Sequence, residues 1–167
     1  MVLLDYCGKQ AKVPAYQLPG GPARNKVRDL TLFDERTRAT GERLVASYNC
    51  RELVELGIVD IIQTDINHVG GITGLWKTAA LTDASGAKMA SHACEGPIGG
   101  MATIHADAAM PTFLIQEICS GVEPGGKEKI WADWFGFPAM RMVNGKFPLP
   151  TRPMARAFHK DGSVTAW

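Results

Sequence analysis

The chain has 167 residues, 46% hydrophobic and 21% charged, which suits one soluble globular domain with a core of its own and excludes a disordered tract. Eighteen Lys and Arg against seventeen Asp and Glu leave a net charge of +1, too even for a nucleic-acid or anionic-membrane surface. No apolar run reaches membrane-spanning length, and Met1-Val2-Leu3-Leu4-Asp5 meets charge too soon for a secretory signal. Cys7, Cys50, Cys94 and Cys119 are scattered without a C-x-x-C pair, so reduced, mostly buried thiols in a cytoplasmic protein are expected.

Residues 1–12 place Val2, Leu3, Tyr6 and Ala11 on a loose helical stripe. Pro14 and the run Leu18-Pro19-Gly20-Gly21-Pro22 end it in a turn. Residues 23–40 are crowded with charge, from Arg24 to Arg38, and have little periodicity. From residue 41 the pattern becomes regular. Residues 52–57 predict a short helix closed by Gly57, and the β-branched residues 59–65 predict a strand. Gly70-Gly71 makes a turn before a helix over 75–84, and residues 88–92 form a second strand. A small-residue helix over 98–109 is closed by Pro111, and residues 113–117 form a third strand. Strand and helix in alternation predict parallel βαβ units, wound as an arc of barrel or as an open sheet. Trp131, Trp134, Phe135, Phe137 and Phe147 follow as packing anchors, and residues 151–167 read as a polar tail.

Four polar residues close these units. Glu42, Asp65, His92 and Glu117 are separated by 23, 27 and 25 residues, each about one βα unit, so all four emerge on one rim. A single carboxylate after a strand is commonly a helix cap or a solvated loop residue; four in step point to a site. Their chemistry is coherent. A carboxylate such as Glu42 suits a hard divalent cation, an Asp65–His92 pair orients and activates an imidazole, and Glu117 can meet a substrate hydroxyl. Together they suit removal of a proton next to a carboxylate and stabilisation of the enediolate. Gly70-Gly71-Ile72-Thr73-Gly74 lacks the Lys-Ser/Thr of a P-loop and is read as a βα turn.

The strings Ala39-Thr40-Gly41-Glu42-Arg43-Leu44, Asp60-Ile61-Ile62-Gln63-Thr64-Asp65-Ile66-Asn67-His68-Val69-Gly70-Gly71-Ile72 and Ser91-His92-Ala93-Cys94-Glu95-Gly96-Pro97-Ile98 resemble one known family. Ile115-Gln116-Glu117, Phe137-Pro138-Ala139-Met140 and Phe147-Pro148-Leu149-Pro150 extend the likeness. The chain resembles the mandelate racemase/muconate lactonizing enzyme branch of the enolase superfamily, and within it the galactonate dehydratase-like acid-sugar dehydratases. The resemblance implies an α/β fold, a partial (β/α)8 TIM-type barrel with its second half present and the N-terminal capping domain absent. It implies magnesium-dependent dehydration of a galactonate-like sugar acid to a 2-keto-3-deoxy acid, with racemase or cycloisomerase chemistry as the alternative within the superfamily. By resemblance Glu42 is the last of three magnesium carboxylates, Asp65 and His92 are the catalytic dyad, and Glu117 contacts substrate. His68, inside the same motif, is read as structural.

The expected organisation is an opening barrel helix and turn over residues 1–30, a partial barrel with the site over 31–120, and a C-terminal segment over 121–167. Only about 17 residues separate the Leu18–Pro22 turn from Ala39, too few for a βα unit, although in the family several strands lie there with the other metal carboxylates. A whole barrel takes roughly 250 residues, so internal deletions are expected, with a non-catalytic remnant as the alternative reading. Asp34 and Glu35 read as solvated charges rather than replacement ligands. Open sheet edges would leave room for a homo-oligomer.

Overall fold

A computed structural model of the chain describes residues 2–24, 26–28, 37–94, 96–118 and 142–151. Its centre is a four-stranded parallel sheet in chain order, β2 (Ala39–Thr40), β3 (Ile61–Ile62), β4 (Lys88–Ala93) and β5 (Phe113–Ile118). Each crossover carries a helix: α2 (Arg51–Glu55) between β2 and β3, α3 (Gly71–Ser85) between β3 and β4, and α4 (Pro97–Ala108) between β4 and β5. Neighbours in sequence are neighbours in the sheet, which is how a βα barrel is wound. An opening helix α1 (Val2–Ala11) precedes them, and a two-stranded antiparallel clasp pairs β1 (Lys26–Arg28) with β6 (Lys146–Pro148).

The strands separate two apolar layers. Ile61, Ala90 and Ile115, with Ala39 beside them, pack on one face of the sheet. Ile62 and Met89 face the other way, into a core with Ile66, Ile72, Leu75, Ala79, Ala102 and Ala106 from the turn and helices. Burying each of the larger side chains contributes about 1.5–3 kcal/mol. Within α3, Ile72, Leu75, Ala79 and Thr82 recur at helical spacing on the buried face. Its hydroxyls are satisfied locally, Thr78 Oγ1 donating to the Gly74 carbonyl at 3.2 Å and Thr82 Oγ1 to that of Ala79 at 2.8 Å. Trp76 Nε1 ties α3 to α4 by donating to the Ala106 carbonyl at 3.1 Å.

Helix ends follow their residues. Gly86, at φ 76°, closes α3 in the left-handed conformation that a side chain resists, and Pro97 opens α4 where its missing N–H is no loss. The C-terminus of α4 is bound by the front of the chain. Ala23 N–H donates to the Ala108 carbonyl at 2.7 Å, and Arg24 Nη2 donates to Met110 O at 2.7 Å while its guanidinium lies 4.6 Å over the Phe113 ring.

Four expectations need correction. The strand read over 59–65 pairs in the ladder only at Ile61–Ile62, with Asp65 adding an isolated bridge to His92. The helix read from Leu75 begins at Gly71. The poorly patterned stretch 23–40 contains β1, whose partner lies more than a hundred residues away. Cys7 and Cys50 are free, but Cys94 is disulfide-bonded, against the expectation of reduced thiols throughout. Trp131, Trp134, Phe135, Phe137, Asp34, Glu35, Cys119 and the tail after Thr151 lie outside the described residues; Phe147 is buried, as an anchor should be. No helix among the described residues is long and apolar enough to cross a membrane.

Candidate active site

The four residues in step do fall at the carboxyl ends of the four parallel strands. Glu42 follows β2, Asp65 lies just past β3, and His92 and Glu117 are the penultimate residues of β4 and β5. Because side chains alternate along a strand, His92 shares a side with Ala90, and Glu117 with Ile115, toward the layer that also holds Ile61. The ladder pairs His92 with Glu117 directly.

Asp65 and His92 form the tightest part of the site. His92 Nδ1–H donates to Asp65 Oδ2 at 2.9 Å, across the isolated bridge between the two backbones. The other carboxylate oxygen, Oδ1, accepts the Asn67 backbone N–H at 2.8 Å and the Asn67 Nδ2–H at 2.9 Å. Three donors therefore meet a carboxylate whose side chain is 0% exposed, which offsets its loss of water. With Nδ1 committed to Asp65, the imidazole keeps Nε2 for chemistry, and its side chain is 18% exposed, enough to reach a ligand. Asn67 was not singled out in the sequence, although an Asp followed two residues later by Asn is the signature of an Asx turn.

Glu42 is held by its backbone. Gly41 sits at φ 134°, and a Cβ there would lie 3.1 Å from the Gln63 backbone nitrogen, so the approach of β2 to β3 requires glycine. The Gly41 N–H donates to Glu42 Oε2 at 3.1 Å, and His68 Nδ1–H donates to the Glu42 carbonyl at 2.8 Å. The structural reading of His68 thus has a concrete form, a strut beneath Glu42. Glu117 accepts a long bond of 3.5 Å from Gln63 Nε2.

The donors that gather among the described residues are not the oxygen set that the resemblance implied for magnesium. Among the described residues, the group that could gather on one ion is His92, Cys94 and Glu117, whose ligand atoms lie within 4.8 Å of one another. That set offers nitrogen and sulfur, whereas magnesium asks for oxygens, and Glu42 stands outside it.

A second polar cluster, unseen in the sequence, lies between the sheet and α4. Ser91 Oγ donates to Asp107 Oδ1 at 2.6 Å, and Asp107 Oδ2 has no hydrogen-bond partner among the described residues. Burial pushes the Asp107 carboxyl up to about 8, with the Ser91 bond and the Arg24 charge pulling the other way. His105, fully buried and 5.5 Å from the Tyr16 ring, is pushed down to about 4 by burial, and neither ring nitrogen has a hydrogen-bond partner among the described residues. Both lie on a helix that reads as small and apolar, so the periodicity gave no signal for them.

Comparison with known proteins agrees with this geometry. The enolase C-terminal domain-like family model matches residues 23–153. A D-gluconate/D-galactonate dehydratase of Picrophilus torridus is 34% identical over 132 residues, covering 75% of this chain and 32% of the relative. The chain thus spans about a third of the curated relative it matches. Among solved structures, a mandelate racemase/muconate lactonizing enzyme from Jannaschia sp. CCS1 shares 29% identity at a TM-score of 0.61, over 72% of this chain and 29% of that one. An enolase protein from Sargasso Sea environmental sequencing superposes at a TM-score of 0.75 with 16% identity, over 91% of this chain and 69% of that one, a likeness of fold. A parallel arc wound in chain order, with its polar residues at the strands' carboxyl ends, is part of a TIM-type barrel, and the chain belongs to the enolase C-terminal domain-like family.

Proposed function

We propose that the chain carries the acid–base part of a hydro-lyase site that dehydrates a sugar acid of the galactonate kind to a 2-keto-3-deoxy acid. The observation that supports this most is the Asp65–His92 pair, anchored by Asn67 and open at Nε2. The dehydratase from Picrophilus torridus supports the reaction class.

The elimination needs a base for the proton on the carbon next to the carboxylate and an acid for the departing hydroxyl. A single imidazole serves both when the two groups lie on one face of the substrate. Nε2 takes the α-proton, the C–H pair forms the new C–C double bond, and the imidazolium returns the proton to the β-hydroxyl, which leaves as water. The enol then tautomerises to the 2-keto acid. Asp65 stabilises the transient imidazolium through Nδ1, and Glu117, beside His92, binds a substrate hydroxyl. Members of this family generally bind magnesium, and Glu42 is the residue that the resemblance assigns to it.

Glu42 without companion oxygens among the described residues favours a second reading, a chain whose dyad is in place while turnover is absent. Incubation of the full chain with D-galactonate and D-gluconate in D2O, with and without magnesium, separates the two by proton NMR. Loss of the α-proton signal with appearance of the 3-deoxy methylene is expected. Both should fall by about 10²–10⁴-fold in His92→Asn and in Asp65→Asn. Exchange without water loss would move the assignment to the racemase side of the family, and neither exchange nor product would refute the proposed reaction.

A further inference from the structure

Beyond the acid–base pair, three ligands of different chemistry meet on the rim: His92 and Cys94, two positions apart at the end of β4, and Glu117 on the neighbouring strand. Their ligand atoms all lie within 4.8 Å of one another. Zinc accepts this mixture of nitrogen, sulfur and oxygen, at bond lengths of about 2.0–2.3 Å. Tetrahedral ligands at that distance stand about 3.3–3.8 Å apart, so shifts of about 1 Å in the side chains close the set. The surroundings are those of a zinc histidine. Asp65 accepts the Nδ1–H, leaving Nε2 as the coordinating atom, and Asn67 holds the far carboxylate oxygen. Gln63 Nε2 approaches Glu117 in the same supporting role.

We propose that His92, Cys94 and Glu117 form a zinc-type site gated by the oxidation state of Cys94. In this structure Cys94 is disulfide-bonded, and a disulfide sulfur is not a thiolate ligand. A dithiol reductant opens the bond. Two electrons and two protons pass to the two sulfurs, and the reductant leaves as its own disulfide. Zinc then displaces the Cys94 thiol proton to solvent and takes Nε2, Sγ and a Glu117 oxygen, with a fourth position for water. The site needs neither Glu42 nor any substrate, so it stands or falls apart from the dehydration chemistry. Where both hold, zinc on Nε2 removes His92 from proton transfer.

Cobalt(II) is the probe, because a thiolate ligand gives a sulfur-to-cobalt charge-transfer band. The full chain is reduced with a dithiol, freed of it by gel filtration under argon, and titrated with cobalt chloride. The band is expected to saturate at one equivalent, to vanish on adding zinc, and to be absent from the oxidised chain and from reduced Cys94→Ser. Cys7→Ser and Cys50→Ser should leave it unchanged. Glu117→Gln, shown folded by far-ultraviolet circular dichroism, should bind roughly tenfold or more weakly. No band in the reduced chain, an equal band in Cys94→Ser or in the oxidised chain, or a band that survives in denaturing urea overturns the site.

Discussion

Replacing Asp107 with Asn should change how stability depends on pH, and the two buried groups of α4 fix the shape of the change. Asp107 binds its proton up to about 8 in the folded chain, against an ordinary value of 3.8. Between those values the folded state keeps a proton that the unfolded state releases, so its stability falls with rising pH by about 1.4 kcal/mol per unit. His105 acts in the opposite sense. Its folded value of about 4 lies below the ordinary 6.5, so its contribution is lost as pH falls from 6.5 to 4. The two slopes cancel between about pH 4 and 6.5. Above that only Asp107 titrates, and the native chain should lose about 2 kcal/mol by pH 8.

In Asp107→Asn the amide keeps the shape and the Oδ1 acceptor for Ser91. The decline above pH 6.5 should disappear, and His105 alone should make stability rise by about 3 kcal/mol from pH 4 to 6.5. Urea unfolding followed by tryptophan fluorescence at half-unit steps of pH measures both profiles. Parallel profiles for the variant and the native chain would refute the reasoning, because they would mean that Asp107 is ionised in the folded state.

Two further substitutions test the packing. Gly74→Ala would place a Cβ 1.7 Å from the Val69 carbonyl oxygen, so the turn before α3 must move, at a cost of about 3 kcal/mol or more in a urea melt. Stability unchanged in that variant would contradict the described turn. Phe147→Ala removes a side chain 1% exposed that packs with Ile104, and should cost about 3–5 kcal/mol. Hydrogen exchange should accelerate at β1 and β6 before it does at Ile62 and Met89; uniform acceleration would show that the clasp does not open separately.

What could be read from the sequence was what short-range pattern encodes. α4 and the strands around His92 and Glu117 fall within a residue or two of expectation because their periodicity and their Gly and Pro stops are local. The rim spacing carried four residues to one end of the sheet for the same reason. β1 escaped because three residues with few apolar neighbours become a strand only when β6 arrives from far along the chain. The start of α3 escaped because Gly71 and Gly74 are poor helix formers, Gly71 needed for its φ of 80° and Gly74 because the Val69 carbonyl leaves no space for a side chain. Asp107 and His105 were hidden by an apolar background, and the bond at Cys94 by the absence of any paired spacing.

Strand β5 carries a further consequence. Met89 pairs with Phe113, but Ala90 pairs with Ile115, so Leu114 is an extra residue absorbed in a bulge. Everything beyond it, Glu117 included, owes its facing to that one surplus residue, since a slip by one would turn Gln116 to the rim and Glu117 to the helices. Leu114 is also partly solvent-facing. Losing it from the gene would remove the slack and leave His92 opposite the same carboxylate, whereas losing Gln116 with the bulge kept would bring Ile118 opposite His92 and set Glu117 opposite Ser91, toward the helices. For a lineage drifting by small insertions and deletions, position 114 is the place where a codon can be dropped without rewriting the chemistry downstream.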